Sequence, residues 1–93
     1  MNRKKILLVE DDPSLAFVIQ DNLSIKGYDV TCYNDGEAGE QAFFQSPFQL
    51  CILDVMLPKK DGFTVARSIR DQNKNVPILF LTAKTMEEDK IKG

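Results

Sequence analysis

Glu10 and Asp11 follow the apolar run Ile6 to Val9, Asp54 follows Leu50 to Leu53, and Thr82 follows Ile78 to Leu81. Ionised carboxylates offer only acceptor oxygens, so three of them brought together require a proton or a cation. An all-oxygen set suits a hard divalent ion, and Mg2+ in particular is held by one or two carboxylates while it keeps waters and a phosphate oxygen. A carboxylate beside such an ion is a nucleophile towards phosphorus, giving an aspartyl phosphate, and a nearby threonine hydroxyl is suited to donate to that phosphate. Each residue taken singly fits a plainer role. Glu10 and Asp11 suit helix capping or plain solvation, and Thr82 an ordinary turn hydroxyl. The coincidence of these residues at three strand ends points to a pocket for Mg2+ and a phosphoryl group.

The pocket exists only if the chain brings those strand ends together. Ile6 to Val9, Leu50 to Leu53 and Ile78 to Leu81 are apolar at every position, the pattern of strands covered on both faces in a parallel sheet. Asp29 to Tyr33 instead alternates and contains β-branched and aromatic residues, which predicts a strand half exposed at a sheet edge. Asp12 and Pro13 predict a helix start, with Leu15, Val18, Ile19 and Leu23 as the stripe on the sheet and Gly27 as the left-handed stop. Asn34 and Glu37 have capping-box spacing for a second helix containing Ala38 and Ala42, ended by Ser46 and Pro47. Phe63, Val65, Ala66, Ile69 and Arg70 have helical spacing and predict a third helix to about Gln72. The last ten residues, from Lys84 to Gly93, are polar and fit the start of a fourth.

This β-α alternation predicts an α/β fold, an open parallel sheet of flavodoxin-like (CheY-like) type with strand order 2-1-3-4 and right-handed crossovers. Ligands bind such sheets beyond the carboxyl ends of the strands, where the winding reverses between the first and third strands. Those strands end in Asp11 and Asp54. With neighbouring strands about 4.8 Å apart, Glu10, Asp11 and Asp54 are expected to share one shallow cleft.

Ninety-three residues make one domain, 1–93, of modest stability. The 43% apolar and 28% charged composition is that of an ordinary globular chain, and a net charge of −2 offers no basic field for nucleic acid. Cys32 and Cys51 lack CxxC spacing and read as small buried hydrophobes. Arg3, Lys4 and Lys5 precede an apolar run too short for a signal peptide or a membrane span, so a reducing cytoplasm is expected.

The blocks ILLVEDD, ILDVMLPKKDG and ILFLTAK resemble the three signature blocks of bacterial response-regulator receiver domains, and the resemblance runs the length of the chain. It implies that Asp54 is the phosphoacceptor. Asp11 becomes a direct Mg2+ ligand, Glu10 acts through water, and the backbone carbonyl of Met56 is a third protein ligand. Thr82 takes the role of switch hydroxyl, Ala83 that of the small residue beside the phosphate, and Pro58 with Gly62 that of the turn before the third helix. The acidic pair and the MLPKKDG loop are most similar to the OmpR-type transcriptional regulators. The family pattern continues through a fifth strand, which carries a phosphate-pairing lysine, and a last helix. Both are lacking here, so the chain reads as a truncated receiver whose effector domain lies elsewhere; Lys59, Lys60 and Lys84 are not assumed to replace that lysine. The implied partners are a sensor histidine kinase, DNA only through a missing C-terminal domain, no membrane, and a second copy through the edge strand Ile78 to Leu81.

The reading that follows is a phosphoacceptor rather than a conventional enzyme. A receiver-like interaction module that is never phosphorylated is the alternative. A Mg2+-dependent phosphohydrolase is disfavoured, because the position two after Asp54, where such enzymes place a general acid, is Met56.

Overall fold

The computed structural model describes residues 3–81. Thr82, Ala83 and the proposed start of a fourth helix lie outside the described residues. The chain runs β1 (Lys5–Val9), α1 (Pro13–Ile25), β2 (Asp29–Tyr33), α2 (Gly36–Gln45), β3 (Leu50–Asp54), α3 (Gly62–Gln72) and β4 (Ile78–Leu81). All strand pairs are parallel and the order is β2-β1-β3-β4, as expected.

The all-apolar runs of β1 and β3 supply both layers of the core. Leu7, Val9, Cys51 and Leu53 meet α2 and α3 on one face, while Ile6, Leu8 and Ile52 meet α1 on the other. Val65 and Ile69, one turn apart on α3, are fully buried. Each contributes about 1.5–3 kcal/mol, which holds in place a helix too short to be stable alone.

The face of α1 on the sheet is rotated from the predicted stripe. Ala16, Ile19 and Leu23 pack on β1 and β2, and Val18 is exposed. Small Ala16 admits the close approach, and the Gln20 side chain donates to the Val30 carbonyl at 2.9 Å. The helix stops as predicted: Tyr28 N–H reaches the Leu23 carbonyl and Gly27 N–H that of Ser24, with Gly27 at φ 99°.

The capping-box expectation at Asn34 and Glu37 is corrected by one residue. Asp35 is the N-cap of α2, accepting from Ala38 N–H at 2.7 Å. The helix begins at Gly36 because that residue lies against the β3-α3 loop: its N–H donates to the Pro58 carbonyl at 3.2 Å, and a Cβ there would lie 1.8 Å from the Lys60 carbonyl oxygen. Tertiary contact therefore sets the register of the cap.

At the sheet edge, β4 does not have the two-sided burial of β1 and β3. Leu79 is 54% exposed and Phe80 38%, with Phe80 resting on Phe63 at 4.9 Å between ring centroids.

Candidate functional site

Val9 pairs with Leu53, so the residues that follow, Glu10 and Asp54, come side by side at the carboxyl ends of β1 and β3. Asp11 completes a cluster in which one oxygen from each carboxylate lies within 4.8 Å of the others. Three of the predicted site residues thus meet at the point where the winding reverses.

Their environments differ. Glu10 is 1% exposed and Asp54 6%, while Asp11 faces solvent. Glu10 Oε2 accepts the Asp12 N–H at 2.8 Å, and Asp54 Oδ1 accepts a long bond from Met56 N–H at 3.3 Å. Glu10 Oε1 and Asp54 Oδ2 are buried with no hydrogen-bond partner among the described residues. Burial pushes the Glu10 carboxyl up to about 7; the Asp12 N–H opposes this, and the adjacent Asp54 charge adds to it. Two orphaned acceptor oxygens facing a third carboxylate form an oxygen-only donor set, which suits a hard divalent cation.

Neighbouring residues hold this arrangement. Asp12 is spent as the N-cap of α1, accepting from Ser14 and Leu15 N–H, so only Glu10 and Asp11 of the acidic run remain for the pocket. Asp61 caps α3 through Thr64. Gly62 N–H closes the loop on the Val55 carbonyl at 2.9 Å, and a Cβ at Gly62 would sit 2.1 Å from the Asp54 carbonyl oxygen. Met56 presents its amide to Asp54, while its side chain is 67% exposed. Thr82, the remaining predicted site residue, lies outside the described residues. An open groove of about 460 Å³ runs from Glu10 and Asp11 past Phe17 to Cys32 and Tyr33.

One feature had no local signal in the sequence. The Lys60 ammonium pairs with the Glu40 carboxylate on α2, so this lysine is engaged away from the acidic cluster. Twenty residues separate the partners, and only the packing of α2 beside the β3-α3 loop brings them together. The cysteines are both free; Cys51 is buried as expected, and Cys32 is half-buried.

Fold and site together define a doubly wound α/β protein with an acidic pocket at its switch point. The sequence model of the response regulator receiver domain family matches residues 6–93, and the chain belongs to that family. Transcriptional regulatory protein RprY of Bacteroides fragilis (strain YCH46) is 51% identical over 89 residues, covering 96% of this chain and 38% of that relative. The chain therefore spans well under half the length of this relative. The receiver domain of sensor histidine kinase PA1611 from Pseudomonas aeruginosa PAO1, solved with a magnesium ion coordinated in its active site cleft, superposes with a TM-score of 0.85 at 35% identity, covering 96% of this chain and 75% of that one. A chain from the complex of histidine kinase ThkA with response regulator protein TrrA, the latter from Thermotoga maritima, gives a TM-score of 0.80 at 35% identity, covering 86% of this chain and 69% of that one.

Proposed function

We propose that this receiver domain accepts a phosphoryl group on Asp54 from a phosphohistidine of a sensor histidine kinase. The observation that carries the reading is the pair of buried oxygens without partners, Glu10 Oε1 and Asp54 Oδ2, beside Asp11. In the transfer an Asp54 carboxylate oxygen forms the new bond to phosphorus while the bond to the imidazole nitrogen breaks, leaving its electron pair on the ring. Glu10, Asp11, Asp54 and the backbone carbonyl of Met56 would hold Mg2+, which when bound supplies positive charge against the phosphoryl oxygens. Asp11, exposed at the mouth, would be the direct ligand, and Glu10, deeper and hydrogen-bonded to the Asp12 amide, would act through water. The Met56 amide steadies the attacking carboxylate. Thr82 acts as the switch hydroxyl, biasing a two-state surface once the phosphate is present.

Such a domain modifies itself once per cycle and is not a turnover enzyme, in keeping with Met56 where a phosphohydrolase would need an acid. In the whole protein the signal passes to a further, DNA-binding domain that controls transcription. A cytoplasmic location suits this role, and no helix among the described residues is long and apolar enough to cross a membrane. Exposed Leu79 and Phe80 on β4 support self-association of this chain through that strand, and a strictly monomeric sedimentation profile at high concentration would sink that part.

The direct test is incubation with acetyl phosphate and Mg2+ followed by mass spectrometry. Label is expected on Asp54 only when Mg2+ is present. An Asp54→Asn variant that takes up label equally well would overturn the reading.

A further inference from the structure

The loop between β3 and α3 begins at Asp54 and ends at the α3 cap, Asp61, so its path sets where the Asp54 carboxylate and the Met56 amide point. Its own bonds, Gly62 N–H to the Val55 carbonyl at 2.9 Å and Lys60 N–H to the Pro58 carbonyl at 2.7 Å, fold it back on itself but leave its outer turn to be held from outside. The second of these closes a three-residue turn around Lys59 at φ 70°, a strained conformation that a lysine seldom adopts without support from its surroundings. The surroundings are α2. Gly36 N–H donates to the Pro58 carbonyl, and the bare Cα of Gly36 lies under the Lys60 carbonyl. One turn further along α2, Glu40 takes the Lys60 ammonium. Burial acts to raise the Glu40 carboxyl, but the hydrogen bonds from Lys60 and from Ser68 on α3, together with the Lys60 charge, outweigh it and hold Glu40 below its ordinary value. This end of the loop is thus fixed by backbone contact at Gly36 and by a charge pair at Glu40, both on one helix.

We propose that Glu40 and Lys60 are positioning residues: through their ion pair, α2 fixes the loop that aims Asp54 and the Met56 amide. The inference rests on the reading of Asp54 as phosphoacceptor and adds a point of control lying outside the acidic cluster. A change that draws Glu40 from Lys60 lets residues 58–60 move, and the reactive geometry loosens while every ligand of the pocket is still present. Misplacement on the ångström scale is enough to slow an aligned displacement greatly.

The test is the rate of Asp54 labelling by acetyl phosphate with Mg2+, combined with the position of the Met56 amide resonance in 15N-labelled protein. Glu40→Gln and Lys60→Met are each expected to slow labelling by about tenfold and to shift that resonance, whereas Lys60→Arg, which keeps the pair, stays within about twofold of the native rate. Val76→Ala, a buried change before β4 at the opposite end of the sheet, serves as the control for lost stability and is expected to leave the labelling rate unchanged. Native rates in folded Glu40→Gln and Lys60→Met would overturn the inference, as would an equal slowing by Val76→Ala. If the unaltered protein takes no label, the phosphoacceptor reading is what fails. The Met56 resonance then decides the positioning role alone, and an unshifted signal in Glu40→Gln overturns it.

Discussion

Glu10 and Asp54 end neighbouring strands with carboxylate oxygens within 4.8 Å, and each keeps one buried oxygen without a hydrogen-bond partner among the described residues. Such a pair is destabilising until a cation or a proton joins it. Asp54→Asn removes one of the two charges and supplies a donor. In EDTA this variant is expected to be more stable than the native chain by about 1 kcal/mol, a rise in Tm of about 4–8 °C for a domain of this size. A fall in Tm in a chelator-containing melt would contradict the account of the pair.

Mg2+ is expected to raise the Tm of the native protein and EDTA to reverse the rise. At a hundred times its Kd a ligand confined to the folded state contributes about 2.7 kcal/mol. Asp11→Asn should lose most of this gain with little change in the melt without Mg2+, because Asp11 is exposed and carries no cap. Differential scanning calorimetry with and without Mg2+ measures both quantities.

Without divalent ions, stability is expected to fall as pH rises from about 4.5 to about 7. Burial raises the Glu10 carboxyl from 4.5 to about 7. Below 4.5 the folded and unfolded chains both carry the proton. Between the two values the unfolded chain has released it while the folded chain retains it, so folding becomes less favourable with each step in pH, and above 7 the loss is complete. Urea titrations at pH 5 and pH 8 are the check, and Glu10→Gln should flatten the difference. Mg2+ should stabilise more at pH 8 than at pH 5, since a protonated Glu10 is a poor partner for a cation.

Gly62→Ala places a Cβ 2.1 Å from the Asp54 carbonyl, and the atom in its way is backbone. A loss of about 3 kcal/mol or more is expected from the forced shift. Gly27→Ala meets no atom within 4 Å and carries only the strain of φ 99°, about 1 kcal/mol. Denaturant midpoints of the two variants should differ accordingly. Equal losses would show that the β3-α3 loop yields where close packing should hold it.

Burial pushes the Cys51 thiol up to about 12, and it also raises that of half-buried Cys32. Neither thiolate is appreciably populated at pH 8, so native protein should react slowly with iodoacetamide, Cys32 before Cys51. Peptide mapping after a timed pulse reads the order, and denaturant should abolish it.

Much of this protein follows from short-range pattern. Unbroken apolar runs at Ile6 to Val9 and Leu50 to Leu53 identified two-sided central strands, the alternation of Asp29 to Tyr33 identified an edge, and Asp12 with Pro13 and Gly27 bounded α1. Strand order then placed Glu10, Asp11 and Asp54 together, because in a parallel sheet the residues ending adjacent strands must be neighbours. Periodicity was less able to choose between close alternatives on one helix. It selected Val18 for the sheet where packing selects Ala16, because a small side chain permits contact that a hydrophobicity pattern does not weigh.

What only the tertiary structure decided depends on residues distant in the chain. Asp35 rather than Asn34 caps α2 because Gly36 must lie against Pro58 and Lys60, and Lys60 is paired because Glu40 happens to face it across that contact. Burial of Glu10 and Asp54, and with it the raised proton affinity of Glu10, likewise comes from the layers closing over the strand ends. Local sequence determines which residues can begin or end an element and what chemistry they carry. Their charge state, exposure and aim are properties of surroundings that the chain assembles only when it folds.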